Sequence, residues 1–159
     1  LNVSQAIRAR RSIRRFLPRP LPAGTLAELI AGARLGPSAA DLRPLRFLPA
    51  EDPALRRKIF PALRWAAGGR PPAGRRPAAY VVVLVDSTVR ETGWQWEAGA
   101  AVQSILLAAR EKGIGSCWIL SVDRRRLAEA LGIGARYLID SVVALGYPAE
   151  EAKKKERSR

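Results

Sequence analysis

Arg10-Arg11-Ser12-Ile13-Arg14 places a hydroxyl among guanidinium groups, a combination able to hold a phosphate and neighbouring polar oxygens through charge-assisted hydrogen bonds. Alone, the run also reads as the exposed basic end of a helix. A second stretch, Pro37-Ser38-Ala39-Ala40-Asp41-Leu42-Arg43-Pro44, combines small residues with two rigid prolines between a helix and a strand. Such a loop lets backbone groups approach a flat ligand closely, although an ordinary connector has the same composition. A third motif runs from Glu97 through Gly99-Ala100-Ala101, Gln103 and Leu106-Leu107-Ala108-Ala109 to Gly113-Ile114-Gly115-Ser116-Cys117-Trp118. A fourth, Leu145-Gly146-Tyr147-Pro148, stands at the end of the last expected strand.

Composition removes several chemistries. There is no histidine and Cys117 is the only cysteine, which excludes a Ser-His-Asp triad, a Cys-His pair, a His/Cys zinc site and any disulfide within the chain. No metal is expected. Carboxylates, arginines, a few lysines, three tyrosines and hydroxyls remain, a set that favours a borrowed cofactor for difficult chemistry. The common phosphate-cradling loops, GxGxxG after a strand and Walker A, are missing. Cys117 lies in an expected buried strand and reads as a small core hydrophobe rather than a redox thiol. Trp94 and Trp96 either stack over a substrate or serve as core or dimer contacts. Of the 28 basic residues behind the net charge of +14, 23 are arginine in a chain rich in Ala, Gly and Pro. This is read as compositional drift on a solvated surface in preference to nucleic-acid affinity.

These residues need a scaffold, and 159 residues suit a single domain spanning 1–159 with one ordinary core. No apolar run approaches the ~18 residues of a membrane span, and the arginine-rich N-terminus has no signal-peptide core, so a cytoplasmic location is expected. Asn2 and Gln5 have capping-box spacing and start a helix near residue 3 that runs to about Arg11. Arg14 to Pro22 is a turn-rich connector. A second helix follows Pro22, with Leu26, Ile30 and Ala33 on one face, and ends before Gly36-Pro37. Arg46 to Ala50 is a short strand, Asp52-Pro53 opens a helix that Pro61 stops, and 66–77 is a loop. Tyr80 to Asp86 is a strand buried on both faces. Trp94 to Lys112 is the longest helix, capped by Gly113, and its EAGAA stretch is small enough to admit another backbone. Ser116 to Leu120 is a strand, Asp123 caps a short helix closing at Gly132, and Leu138 to Leu145 is the last strand. Residues 151–159 are almost all charged and read as a disordered tail on composition. The irregular alternation of strands and helices indicates an α+β sandwich.

In order and spacing, the four motifs together resemble the nitroreductase family of FMN enzymes from Ala6 to Arg157. The resemblance implies a nitroreductase-like α+β fold with a central, mainly antiparallel sheet flanked by helices. It also implies a homodimer with the long helix at its interface and two FMN sites shared between subunits. By residue, it places Arg10, Ser12 and Arg14 in the N-terminal flavin-binding triplet with Arg11 between them. It gives Arg14 the catalytic part of holding positive charge near the flavin N1/O2 edge, where the reduced form becomes anionic. Pro37, Ser38, Ala39 and Asp41 match the loop supplied by the other subunit. Leu120 and Ser121 fall where backbone meets the flavin ring, and Lys155 and Arg157 match a pair that clamps the phosphate, against the alternative of a solvated lysine run.

Three departures accompany the resemblance. Asp41 replaces the family's usual asparagine, Arg43 its glutamine and Leu45 its tryptophan. The aspartate loses an amide donor and adds negative charge that Arg43 can offset. Short connections in mid-chain imply a more open cleft than in larger relatives. The expected activity is ping-pong transfer of reducing equivalents from NAD(P)H, through FMN, to a nitroaromatic, quinone or related small-molecule acceptor. Alternatives are another flavin reaction on the same fold, reductive dehalogenation or flavin breakdown, and a non-catalytic flavin- or nucleic-acid-binding protein.

Overall fold

A computed structural model describes residues 1–66 and 69–151. Its centre is β2 (Ala79–Asp86), buried along its whole length. A run of β-branched residues with no polar alternation has to be covered on both faces. β2 pairs antiparallel with β1 (Leu45–Ala50) on one side and with β4 (Tyr137–Gly146) on the other. β4 in turn pairs antiparallel with β3 (Gly115–Ile119), giving the order β1-β2-β4-β3.

Helices cover both faces of this α+β sheet. On one face α2 (Thr25–Arg34) and α4 (Gln95–Glu111) bring Leu26, Leu29, Val102 and Ile105 onto Val81, Val83, Val143 and Leu145. On the other, α3 (Pro53–Ile59) and α5 (Arg124–Leu131) bring Ile59 and Leu127 onto Tyr80, Val82 and Val142. Gly36 shows how close α2 comes to the small residues of α4, since a Cβ there would lie 3.8 Å from the Ala101 backbone. At its Ala101 end, EAGAA is therefore met by backbone of the same chain.

Most element ends follow their caps. Asn2 and Gln5 form the reciprocal capping box, each bond 2.9 Å, at the head of α1 (Val3–Ala9). That helix stops short of the expected Arg11 because Arg10 already turns to extended geometry, φ −61° and ψ 128°. Asp52 caps α3 through the Ala54 and Leu55 amides, and a short 3-10 turn, Phe60–Ala62, carries the chain past Pro61. Asp123 caps α5 and Gly132 closes it in the left-handed region at φ 66°.

Two features depart from the expectation. The segment 12–17, which includes the start of the expected connector from Arg14 to Pro22, is fastened to the sheet like an additional edge. Ser12 bridges to Ser116, the Ile13 amide donates to the Ser116 carbonyl at 2.9 Å, and the Leu17 amide donates to Tyr147 at 2.8 Å. The second is a β-bulge. Val83 faces Ser141 while Leu84 faces Ile139, leaving Asp140 without an opposite residue. Bulges of this kind re-aim a side chain.

Asp86 ends β2 fully buried and ties three elements together. It accepts from Arg136 Nε at 3.0 Å and Nη2 at 2.6 Å, and from the Thr88 hydroxyl at 2.6 Å, with Arg46 of β1 at 3.5 Å. Hydrogen bonds from Arg136 and Thr88 hold its carboxyl well below the usual carboxylate range. A depressed folded-state pKa stabilises fully above the unfolded value of roughly 4, and that contribution fades as pH falls toward the folded value. Urea midpoints of the wild-type protein and Asp86→Asn should therefore differ by a constant amount near neutrality, and the difference should start to shrink only as pH falls below about 4. A difference that stays constant below that pH as well would remove the ionised carboxylate as the cause.

Candidate functional site

The Arg10–Arg14 run is positioned by a glycine pair. Gly115 of β3 faces Gly146 of β4 in the strand register. A Cβ at 115 would lie 3.0 Å from Ile13 and Pro148, and one at 146 would lie 2.9 Å from Phe16. Only the missing side chains let residues 13–16 lie this close to the sheet. Ile13 and Phe16 then turn into the core, so Arg14 between them stays half-buried.

A carboxylate completes the seat. Glu150 Oε1 accepts from the Arg14 amide at 2.7 Å and from the Arg15 amide at 3.3 Å. The side chains of Arg10 and Arg14 make no hydrogen bond or ion pair with the described residues. Arg14 nevertheless lowers the pKa of the Cys117 thiol through space, which fixes its charge beside β3. Burial outweighs that charge and pushes the thiol up, so Cys117 is core rather than a nucleophile. Arg10, Arg11, Arg110, Ser116 and Glu150 border a cavity of about 290 Å³, and Arg110 Nε is buried there without a partner among the described residues. Ser12 is exposed and lies outside that cavity's lining.

Pro37, Ser38, Ala39 and Asp41 lie elsewhere, against the first turns of α4. Glu97, buried in α4, accepts from the Ser38 hydroxyl at 3.0 Å and the Ala39 amide at 3.1 Å, and pairs with Arg90. The loop so held is strained. Ala40, Asp41 and Arg43 all have positive φ, near 51–53°, a region that costs side-chain-bearing residues on the order of 1 kcal/mol each. Asp41 and Arg43 form the compensating pair at 2.6 Å expected from their replacement of neutral amides.

Leu120 and Ser121 follow β3 as an exposed turn; Leu120 is 55% exposed and lies outside the strand expected to include it. Arg124 braces the turn. Its guanidinium donates to the carbonyls of Leu120 at 3.2 Å, Ile139 at 2.9 Å and Asp140 at 2.7 Å, joining the turn to the bulge. Asp140 itself accepts from Trp94 Nε1 at 3.1 Å and from the Ser141 hydroxyl at 2.8 Å. Trp94 is thus a framework contact, while Trp96 is 84% exposed.

Within one chain the expected site residues fall into separate groups. The arginine seat lies by Arg110 near the end of α4, and the Pro37–Asp41 loop by Glu97 near its start, about 20 Å apart along the helix axis. Lys155 and Arg157 lie outside the described residues. Glu97, Arg124 and Glu150 went unassigned by sequence reasoning. An acidic residue in the first turn of a long, otherwise small and apolar helix face was the signal available for Glu97.

Glu97→Gln keeps the shape but leaves Arg90 without its charge partner. A loss on the order of 2 kcal/mol in urea unfolding should accompany faster proteolysis between residues 36 and 44. An unchanged cleavage rate would show that the carboxylate does not hold the loop.

A nitroreductase family model matches residues 7–147. A protein of Archaeoglobus fulgidus named as an NADH dehydrogenase/NAD(P)H nitroreductase, by assignment, is 34% identical over 152 residues, covering 91% of this chain and 84% of its own. The 5,6-dimethylbenzimidazole synthase of Rhodospirillum rubrum is 28% identical over 169 residues, covering 89% and 80%. Among solved structures, a Desulfovibrio desulfuricans protein assigned as a nitroreductase, in complex with FMN, superposes with a TM-score of 0.82 at 30% identity, covering 99% of this chain and 92% of that one. The motif order, the antiparallel sheet and these likenesses agree, and the chain belongs to the nitroreductase family.

Proposed function

We propose that this chain is an FMN-dependent oxidoreductase, working as a homodimer, that takes reducing equivalents from NAD(P)H and delivers them to a small organic acceptor. The observation that carries this is the pair of guanidinium groups, Arg10 and Arg14, seated on the sheet end with no described partner. Buried or half-buried cations left unpaired are costly unless an anionic group completes them. The buried Nε of Arg110 beside the same cavity, without a partner among the described residues, points the same way.

FMN, when bound, supplies the two-electron chemistry that this chain's own side chains lack. Arg10 and Arg11, with Lys155 and Arg157, would hold its phosphate. Ser12 would add a hydroxyl, and Arg14 would keep positive charge at the N1/O2 edge, favouring the electron-rich form. The braced turn Leu120-Ser121 would present backbone to the ring. Pro37, Ser38, Ala39 and Asp41 would come from the second copy, because about 20 Å of α4 separates them from the arginine seat within one chain. Exposed apolar side chains support such pairing: Leu35 is 85% exposed, Trp96 84% and Val3 72%.

A second reading keeps FMN but changes the reaction. The likeness to a 5,6-dimethylbenzimidazole synthase favours it. Addition of NADH or NADPH, first without oxygen and then with oxygen admitted, separates the two readings: rapid anaerobic bleaching of a yellow protein followed by turnover with quinones or nitroaromatics fits the reductase, and loss of the flavin itself once oxygen is admitted fits the other.

Arg14→Ala should bind FMN in a folded dimer yet lower the rate of flavin reduction by about a hundredfold and make the flavin midpoint potential more negative. Arg14→Lys should recover part of both. A rate and potential equal to wild type would take Arg14 out of this part.

A further inference from the structure

A second basic cavity lies away from the residues assigned above. It measures about 740 Å³ and opens between the segment after Phe16, α3 and the stretch leading into β2. Arg19, Arg56, Arg57, Arg70 and Arg76 line it, against the single carboxylate of Glu51. None of the five forms an ion pair with the described residues. Like charges gathered at one concavity repel each other and raise its potential, and an anion entering it relieves both effects.

The cations are held ready. Arg70 and Arg76 stand over the ring of Phe60, with Cζ 4.9 and 4.3 Å from its centroid. Arg19 stands over Tyr147 at 4.1 Å. Arg56 donates to the carbonyls of Glu51 at 3.1 Å and Pro77 at 3.4 Å. Arg70 also donates to the Pro61 carbonyl at 3.4 Å. These contacts fix the planar groups, and the remaining N–H groups stay available for a ligand's oxygens. The cavity also holds a polar group without a partner: the Tyr80 side chain, 1% exposed, lines it and makes no hydrogen bond with the described residues. Its hydroxyl feels the charges of Arg56, Arg76 and Arg70 but keeps its proton, because burial raises its pKa more strongly. It is therefore a donor as well.

From this arrangement we propose that the cavity is a second ligand site, which takes a diphosphate, either free or as part of a nucleotide. Several guanidinium groups with one phenolic donor and one opposing carboxylate select a compact group of multiple negative charge over a single carboxylate. The volume exceeds what a diphosphate fills, which leaves room for an attached base. The proposal stands independently of FMN binding.

The test is calorimetric titration of the dimer, saturated with FMN, with inorganic pyrophosphate and separately with ADP. Saturable binding of one ligand per chain is expected. It should weaken by about tenfold in Arg57→Gln and further in Arg57→Gln/Arg76→Gln. The charge-matched Arg125→Gln/Arg126→Gln should bind as wild type does. Arg57→Gln makes the decision if the double variant fails to fold, since Arg57 has no partner among the described residues. Tighter binding of ADP than of pyrophosphate identifies a nucleotide as the ligand, and equal affinity identifies the phosphates alone. Non-saturable heats, equal losses in the Arg125/Arg126 variant, or loss caused by Arg10→Gln instead would each overturn the assignment. The last outcome would place pyrophosphate in the arginine seat, which leaves the flavin proposal untouched.

Discussion

Residues 12–17 can lie against the ends of β3 and β4 because Gly115 and Gly146 face each other there with no side chains between. The remaining arrangement depends on that contact. It converts a connector into an extra edge, sinks Ile13 and Phe16 into the core, and leaves Arg14 at the surface of the sheet end. Glu150 then closes the seat from the opposite end of the chain. A Cβ within about 3 Å of a core ring would force the segment outward, and repacking a dense core commonly costs 1–3 kcal/mol. Arginine placement is thus set by glycine spacing rather than by any property of the arginines.

The two ends of α4 solve different problems. Near its start, Glu97 spends its hydrogen-bonding capacity on a loop whose backbone is unfavourable at three side-chain-bearing positions. Strain of that kind persists only where surrounding contacts over-determine it, and it concentrates where a loop must meet something. Near its end, Arg110 borders the arginine cavity with a buried nitrogen unpaired among the described residues. One helix therefore separates the two halves of the candidate site by about its own useful length. Two antiparallel copies would bring a start beside an end, which is the geometric reason a homodimer suits this chain.

Much of the framework was legible in the sequence because it rests on local signals. The Asn2/Gln5 box, Asp52-Pro53, Asp123 and the apolar Tyr80 run all act within a few residues of where they are written. The site was legible only through the joint order of its motifs. What escaped was long-range: Glu150 reaching Arg14, Arg124 bracing two distant carbonyl groups, and the bulge at Asp140. Each depends on strand register, which local patterning does not encode. The sheet contacts of the Arg14–Pro22 connector escaped for the same reason, since Phe16 and Pro148 become neighbours only when β4 is in place.

Charge follows the same distinction between amount and position. A surplus of +14 has the composition of drift, and composition says nothing about where the cations sit. In the fold they divide into kinds. Arg136 and Arg46 neutralise Asp86, Arg90 neutralises Glu97, and Arg124 serves backbone carbonyls. Arg10 and Arg14, and the group around Phe60, meet no carboxylate in an ion pair among the described residues. Drift would scatter unpaired cations over convex surface, where water screens them at little cost. Gathering them in two concavities forgoes that screening, and a molecule that tolerates the repulsion at both places has reason to be met there by anions.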